Sequence, residues 1–168
     1  MLQTVGDMVR SILVVLAAVA VIMIITNRAD PDPIREVAIA EPLIVANMSA
    51  GFPVLVPQGQ EGYRLTSARW ENSEPGVWHL GYVTPETAYV QVEQSATKEL
   101  AFISDQLAGT AKSGSELIDG EQWSVYTGSG TAALVRTAGG VTTAVTGTAP
   151  KAELISVAES LAVPTQAL

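Results

Sequence analysis

The sequence predicts an α+β protein, an N-terminal transmembrane helix followed by one domain with a mostly antiparallel sheet and two or three packing helices. Three observations predict it. An uncharged run, SILVVLAAVAVIMIITN, lies between Arg10 and Arg28; strand-like segments separated by turn residues recur from Gly62 onward; and an amphipathic stretch follows each hairpin. Hairpins followed by helices pack as an antiparallel sheet with helices laid on it.

The uncharged run, Ser11 to Asn27, reaches roughly 25 Å at about 1.5 Å per residue, against a hydrocarbon core of about 30 Å. The flanking arginines can snorkel outward across the difference. A cleaved signal peptide is the alternative, because Ala18–Ala20 resembles a cleavage site. The apolar run continues past that triplet to Ile25, however, whereas cleavage sites follow the apolar region. Residues 1–28 are therefore read as a retained single-pass signal-anchor, 29–50 as a juxtamembrane linker with a short helix, and 51–168 as an α+β domain. Two Asp-Pro steps stiffen the linker. "EPLIVANMSAG" gives the short helix, with Pro42 in its first turn and Gly51 at its end.

Charge and composition exclude several functions. Residues 29–168 carry 7 Lys and Arg against 16 Asp and Glu, a formal charge of −9, which argues against nucleic acid and anionic headgroups as partners. Cysteine is absent from the chain, so disulfides, thiolate zinc sites and thiol catalysis are excluded. No cofactor or metal signature is present.

"FPVLVPQGQEGY" has prolines bracketing an apolar stretch and predicts an extended edge segment. "GYRLTSARW", "VWHLGYV" and "TAYVQVEQ" then read as strands leading into "TKELAFISDQLAG". About 55 residues later "GEQWSVYTG", "AALVRT" and "VTTAVTG" lead into "APKAELISVAESLA". The joins "VEQSATKEL" and "VTGTAPKAEL" align with a one-residue slip, and the whole reads as two β-β-β-α units with six strands. In the first helix Thr97 is the expected N-cap, Leu100, Ile103 and Leu107 the expected buried stripe, and Gly109 the stop. In the second, Leu154, Val157, Ala158 and Leu161 share one face, with Pro150 at the start and Pro164 beyond the end. Trp70, Trp78 and Trp123 are expected as core anchors.

In the first hairpin, a loop at Thr84–Glu86 places Tyr82 opposite Ala88, Leu80 opposite Val90 and Trp78 opposite Val92 on the core face. The other face then holds His79 opposite Gln91, with Gly81 making room for the Tyr89 ring. Gly139-Gly140 suits a two-residue primed turn in the second hairpin. The candidate binding residues are this polar face: His79, Tyr89, Gln91 and Glu93, joined by Arg136 from the second hairpin.

Catalytic motifs are weak. "SATK" at Ser95 matches the S-x-x-K of penicillin-recognising serine enzymes, but the middle motif of that family is missing and N-capping explains it better. "TGSGT" joins two strands, so it reads as a hairpin turn and not as a phosphate loop. His79, the single histidine, lacks a G-x-S-x-G partner motif.

The blocks "FPVLVP", "GYRLTSARW", "WHLGYVTP", "VEQS", "ALVRT" and "VTGTA", following one hydrophobic segment, resemble the actinobacterial family called domain of unknown function 4245, from about Val9 to Leu161. The resemblance implies a single-pass cell-membrane protein, N-terminus cytoplasmic and domain extracytoplasmic. The positive-inside rule alone leaves that orientation a tie. The resemblance implies no activity. The expectation is a non-enzymatic envelope module that contacts the membrane through its N-terminal helix and binds another envelope protein or a wall component. A small-molecule or lipid carrier with an apolar cavity is the alternative, and a hydrolase using His79 the third.

Overall fold

The computed structural model describes residues 2–26, 34–128 and 130–164. The chain divides into two compact units, Met1–Pro33 and Ile34–Leu168. The first contains α1 (Leu2–Thr26), whose described side chains from Met8 to Met23 are exposed. Among the described residues no helix is long and apolar enough to cross a membrane. Of the uncharged run, only the side chains of Ser11–Met23 are described, a length of about 20 Å against the roughly 30 Å a span requires.

The second unit is an α+β domain in which every strand pair is antiparallel. It comprises α2 (Ala40–Ser49), β1 (Val56–Pro57), β2 (Arg64–Glu71), β3 (Val77–Val83), β4 (Tyr89–Ser95), α3 (Glu99–Gln106), β5 (Ala111–Ile118), β6 (Glu121–Gly128), β7 (Thr131–Ala138), β8 (Val141–Gly147), α4 (Lys151–Glu159) and β9 (Leu161–Ala162). β2 to β8 form one seven-stranded sheet in the order β2-β3-β4-β8-β7-β6-β5, and β1 pairs with β9. The domain begins before Gly51, because α2 inserts Leu43 and Ala46 into the main core. β5 was not expected as a strand. Its residues are exposed apart from Glu116 and Ile118, so it lacks the alternating apolar pattern that marks a half-buried strand.

The sheet has two different faces. One carries Trp78, Leu80, Val90, Val92, Trp123, Val125, Leu134 and Val145 and is covered by α2 and by Leu154, Val157 and Ala158 of α4. The other carries Tyr126, Ala133, Val135 and Ala144, on which α3 seats Phe102 and Leu107. The two β-β-β-α runs meet where β4 pairs with β8, yet their helices lie on opposite faces. Strand parity explains this. Ser95, last in β4, is opposite Val77 and Thr142, whereas Gly147, last in β8, is opposite Val90 and Ala132. The two strands therefore end with side chains on opposite faces, as a one-residue slip requires.

Local signals account for most boundaries. Gly51 is left-handed at φ 67° after α2, and Gly139 and Gly140 at 56° and 80° make the turn between β7 and β8. Trp78 and Trp123 are core residues, while Trp70 is half-buried and tilted against Phe52. In α3 the expected stripe is corrected: Leu100 is 84% exposed and Phe102 is 2% exposed. Phe102 packs on Ala133 and Ala144, and Leu100, two residues earlier, points about 200° round the helix axis away from them. Thr97 is not the N-cap either; Lys98 is, without a side-chain hydrogen bond.

Phe102→Ala should cost about 3–5 kcal/mol of stability, whereas Leu100→Ala should stay within about 0.5 kcal/mol. Denaturant unfolding of the full chain, followed by tryptophan fluorescence, measures both.

Candidate functional site

The first hairpin fixes the site. Its loop is longer than expected: the Thr84 amide donates to the Ala88 carbonyl at 2.8 Å, the Ala88 amide to Thr84 Oγ1 at 3.2 Å, and Thr87 is left-handed at φ 63°. Pairing therefore runs two residues further along. Tyr82 faces Val90, Leu80 faces Val92 and Trp78 faces Gln94, while His79 faces Glu93 and Gly81 faces Gln91. A two-residue shift leaves every side chain on its expected face and changes only its partner.

On the β2–β4 half of the face that α3 occupies farther along, the polar side chains form a ladder. Tyr89 Oη donates to Gln91 Oε1 at 3.1 Å, and Gln91 Nε2 donates to Glu93 Oε1 at 2.5 Å. Glu93 Oε1 also lies 2.6 Å from His79 Nδ1. That contact is bent away from the ring N–H direction, so it is an ion pair more than a linear hydrogen bond. On the other side of the ring, Nε2 is 2.8 Å from Glu71 Oε2. The inner pair is shielded, with side-chain exposures of 4% for His79 and 1% for Glu93, while Glu71 is 52% exposed. A Cβ on Gly81 would collide with Tyr89 Oη and Ser67 Oγ, so only glycine lets the Tyr89 ring lie across the strand.

Both ring nitrogens of His79 face carboxylates, which fits the imidazolium. Burial works against the charge, but the close contact and attraction of Glu93, then the hydrogen bond Nε2 donates to Glu71, outweigh burial and the repulsion of Arg69; the pKa is held above its ordinary value. Among the described residues no group of three or more His, Asp or Glu side chains could hold a metal ion.

Arg136 does not join this ladder. It pairs with Thr143, which pairs with Gln94 and so with Trp78, placing it on the opposite face. There its guanidinium lies 5.1 Å from the centroid of Trp123 and 3.2 Å from Glu121 Oε2. The second hairpin's mixed polarity hid this, since Arg136 shares its face with Leu134.

Two residues of the site lay outside the sequence reading, Arg69 and Glu71 of β2. Strand alternation carried one step past Trp70 would have put Glu71 beside His79. Glu71 also lines a cleft of about 480 Å³ between the β2–β3 turn and α3, with Ser73, Glu74, Thr97, Phe102 and Asp105 among its walls. Ser95 of the S-x-x-K match is fully buried, donating to the Gly76 carbonyl and accepting from the Thr97 amide. It ends β4 and does not open the helix, so the geometry that motif needs is not formed.

Residues 1–161 match the family described as "Protein of unknown function (DUF4245)". The chain belongs to this family. No curated protein and no solved structure matches it. The match to DUF4245 covers α1 and nearly all of the α+β domain, so the ladder lies within the matched region.

Removing one partner of the buried pair should be costly. Glu93→Ala should destabilise by about 3–5 kcal/mol, against less than about 1 kcal/mol for Glu71→Ala at the solvated end. The pair also sets a pH dependence. With its folded pKa raised, His79 contributes its full stabilisation below about pH 6.5, and this is lost as pH rises through the folded-state value. Urea midpoints collected from about pH 6 to 9 should fall for the native chain. The part of that slope due to His79 should vanish in His79→Gln.

Proposed function

We propose that this chain is a membrane-tethered, non-enzymatic module of the cell envelope that binds a protein or wall component through the β2–β4 half of its polar sheet face. The observation that carries the binding reading is the ladder. A buried ion pair holds two solvent-facing groups, Glu71 and Tyr89, in fixed positions on a polar sheet surface. Polar groups so preorganised lose little entropy when a partner docks on them.

The tether rests on the uncharged run between Arg10 and Arg28 and on the exposed apolar side chains of α1, such as Leu13, Val14, Leu16, Ile22 and Met23. The N-terminus is cytoplasmic and the domain extracytoplasmic in this reading. A non-enzymatic role is favoured by the state of His79. A hydrolytic base turns one nitrogen to a carboxylate and the other to a nucleophile, whereas here the second nitrogen is held by Glu71.

A small-molecule carrier is the second reading, favoured by a cleft whose volume falls within the range of about 300–1,000 Å³ usual for ligand sites. Its wall includes Glu71, Glu74 and Asp105, which suits polar cargo and not lipid. Native mass spectrometry of protein purified from its own cells separates the readings: a stoichiometric small molecule supports the carrier.

The binding reading is tested by photo-crosslinking in cells. A photoreactive residue at Arg69 or Tyr89 should capture a discrete partner, one at Leu117 on the far edge should not, and Glu71→Ala should reduce capture with little change in stability. Equal capture from all three positions would refute it. Protease added to intact cells should degrade the domain, and protection would overturn the proposed topology.

A further inference from the structure

The outward side of α2 is unusual for so short a helix. Leu43 and Ala46 point into the core. At about 100° per residue, Ile44, Val45 and Met48 cluster opposite them, exposed by 48%, 46% and 83%. Val37, just ahead of the helix, adds a further exposed apolar side chain. Clustered exposed apolar side chains mark a contact surface, and the domain leaves this one uncovered.

We infer that this side of α2 docks on the surface of the lipid bilayer. The inference rests on the tether reading, and chain length supplies the occupant. Ile34–Ile39 are already tied to the domain, where the Val37 amide donates to the Leu65 carbonyl and Arg64 holds Glu36, so residues 27–33 alone separate α1 from the domain. Even fully extended, that stretch spans at most about 25 Å. A tether of that reach keeps α2 at high effective concentration beside the membrane.

The charge of the domain decides what kind of contact this is. A formal charge of −9 beyond residue 28 repels anionic headgroups, and Glu41 stands at the N-terminal end of the same stripe. The contact is therefore apolar insertion at the interface, insensitive to salt and independent of anionic lipid. It also sets an orientation. Because α2 packs on the sheet face opposite His79, docking turns the ladder and its exposed ends, Glu71 and Tyr89, away from the bilayer.

The chain lacks cysteine, so single labels can be placed without background. Full-length Met48→Cys and Arg69→Cys proteins, each carrying an environment-sensitive fluorophore, are reconstituted in phosphatidylcholine vesicles containing doxyl-labelled lipid. The expected result is quenching and a blue shift at position 48 but not at 69, unchanged by added salt. Adding Ile44→Glu in the Met48→Cys background should abolish the quenching while the protein still floats with vesicles. Flotation without quenching at 48 would overturn the docking alone. Failure to float would overturn the tether and the docking with it. A disulfide-linked dimer of unlabelled Met48→Cys, in place of quenching, would assign the face to a second copy and overturn the lipid contact.

Discussion

The register of β3 against β4 is the constraint on which the rest of the domain depends. Glu93 is a buried carboxylate, and a buried carboxylate needs a cation and hydrogen-bond donors at contact distance. The observed register puts His79 opposite it, while Gln91, two residues back on the same strand, donates to it. A slip of one residue would turn Trp78 and Leu80 out of the core and leave Glu93 among them. A slip of two would keep the faces and leave His79 diagonal to Glu93, the relation that Glu71 has to His79 across β2 and β3. Packing thus selects the parity of this pairing, and the loop closed by Thr84 and Ala88 sets the register within that parity.

Parity then distributes the helices. β4 and β8 pair at the centre of the sheet, each followed by a short connection to a helix, but they end on residues of opposite facing, Ser95 and Gly147. α3 and α4 consequently cover different faces. α4 shares its face with α2, and together they bury the larger core. α3, two turns long, covers only the strands around β7, so the β2–β4 half of its face is left to polar side chains. The candidate site exists because one helix is too short to cover the face it lies on.

Much of this was legible in the sequence, and the misses share a cause. The alternation in "VWHLGYV" assigned Trp78, Leu80 and Tyr82 to one face and His79 to the other correctly, since period two survives an error of two residues. The partner of His79 was missed because Thr87, a β-branched residue, takes a left-handed conformation that sequence rules assign to Gly or Asn. Leu100 was chosen over Phe102 because spacing alone does not reveal which side of the helix packs on Ala133 and Ala144. Arg136 was placed with the polar face because it is charged, whereas its long side chain lies along Trp123 and brings its charge to Glu121. Local periodicity decides faces; which residues meet across them is decided by the tertiary structure.

The ladder also explains why a charged pair is worth keeping in so small a domain. A hydrophobic pair of similar volume would be at least as stabilising, so its retention needs another reason, and geometry offers one. Glu93 accepts from Gln91 and is ion-paired with His79, whose Nε2 holds Glu71, so the positions of Tyr89 and Glu71 at the two solvated ends are linked through shielded groups. When His79 loses its proton, the attraction that ties the ring to both carboxylates is lost. The ladder is thus held together by a charge that is lost as pH rises through the folded-state value of His79.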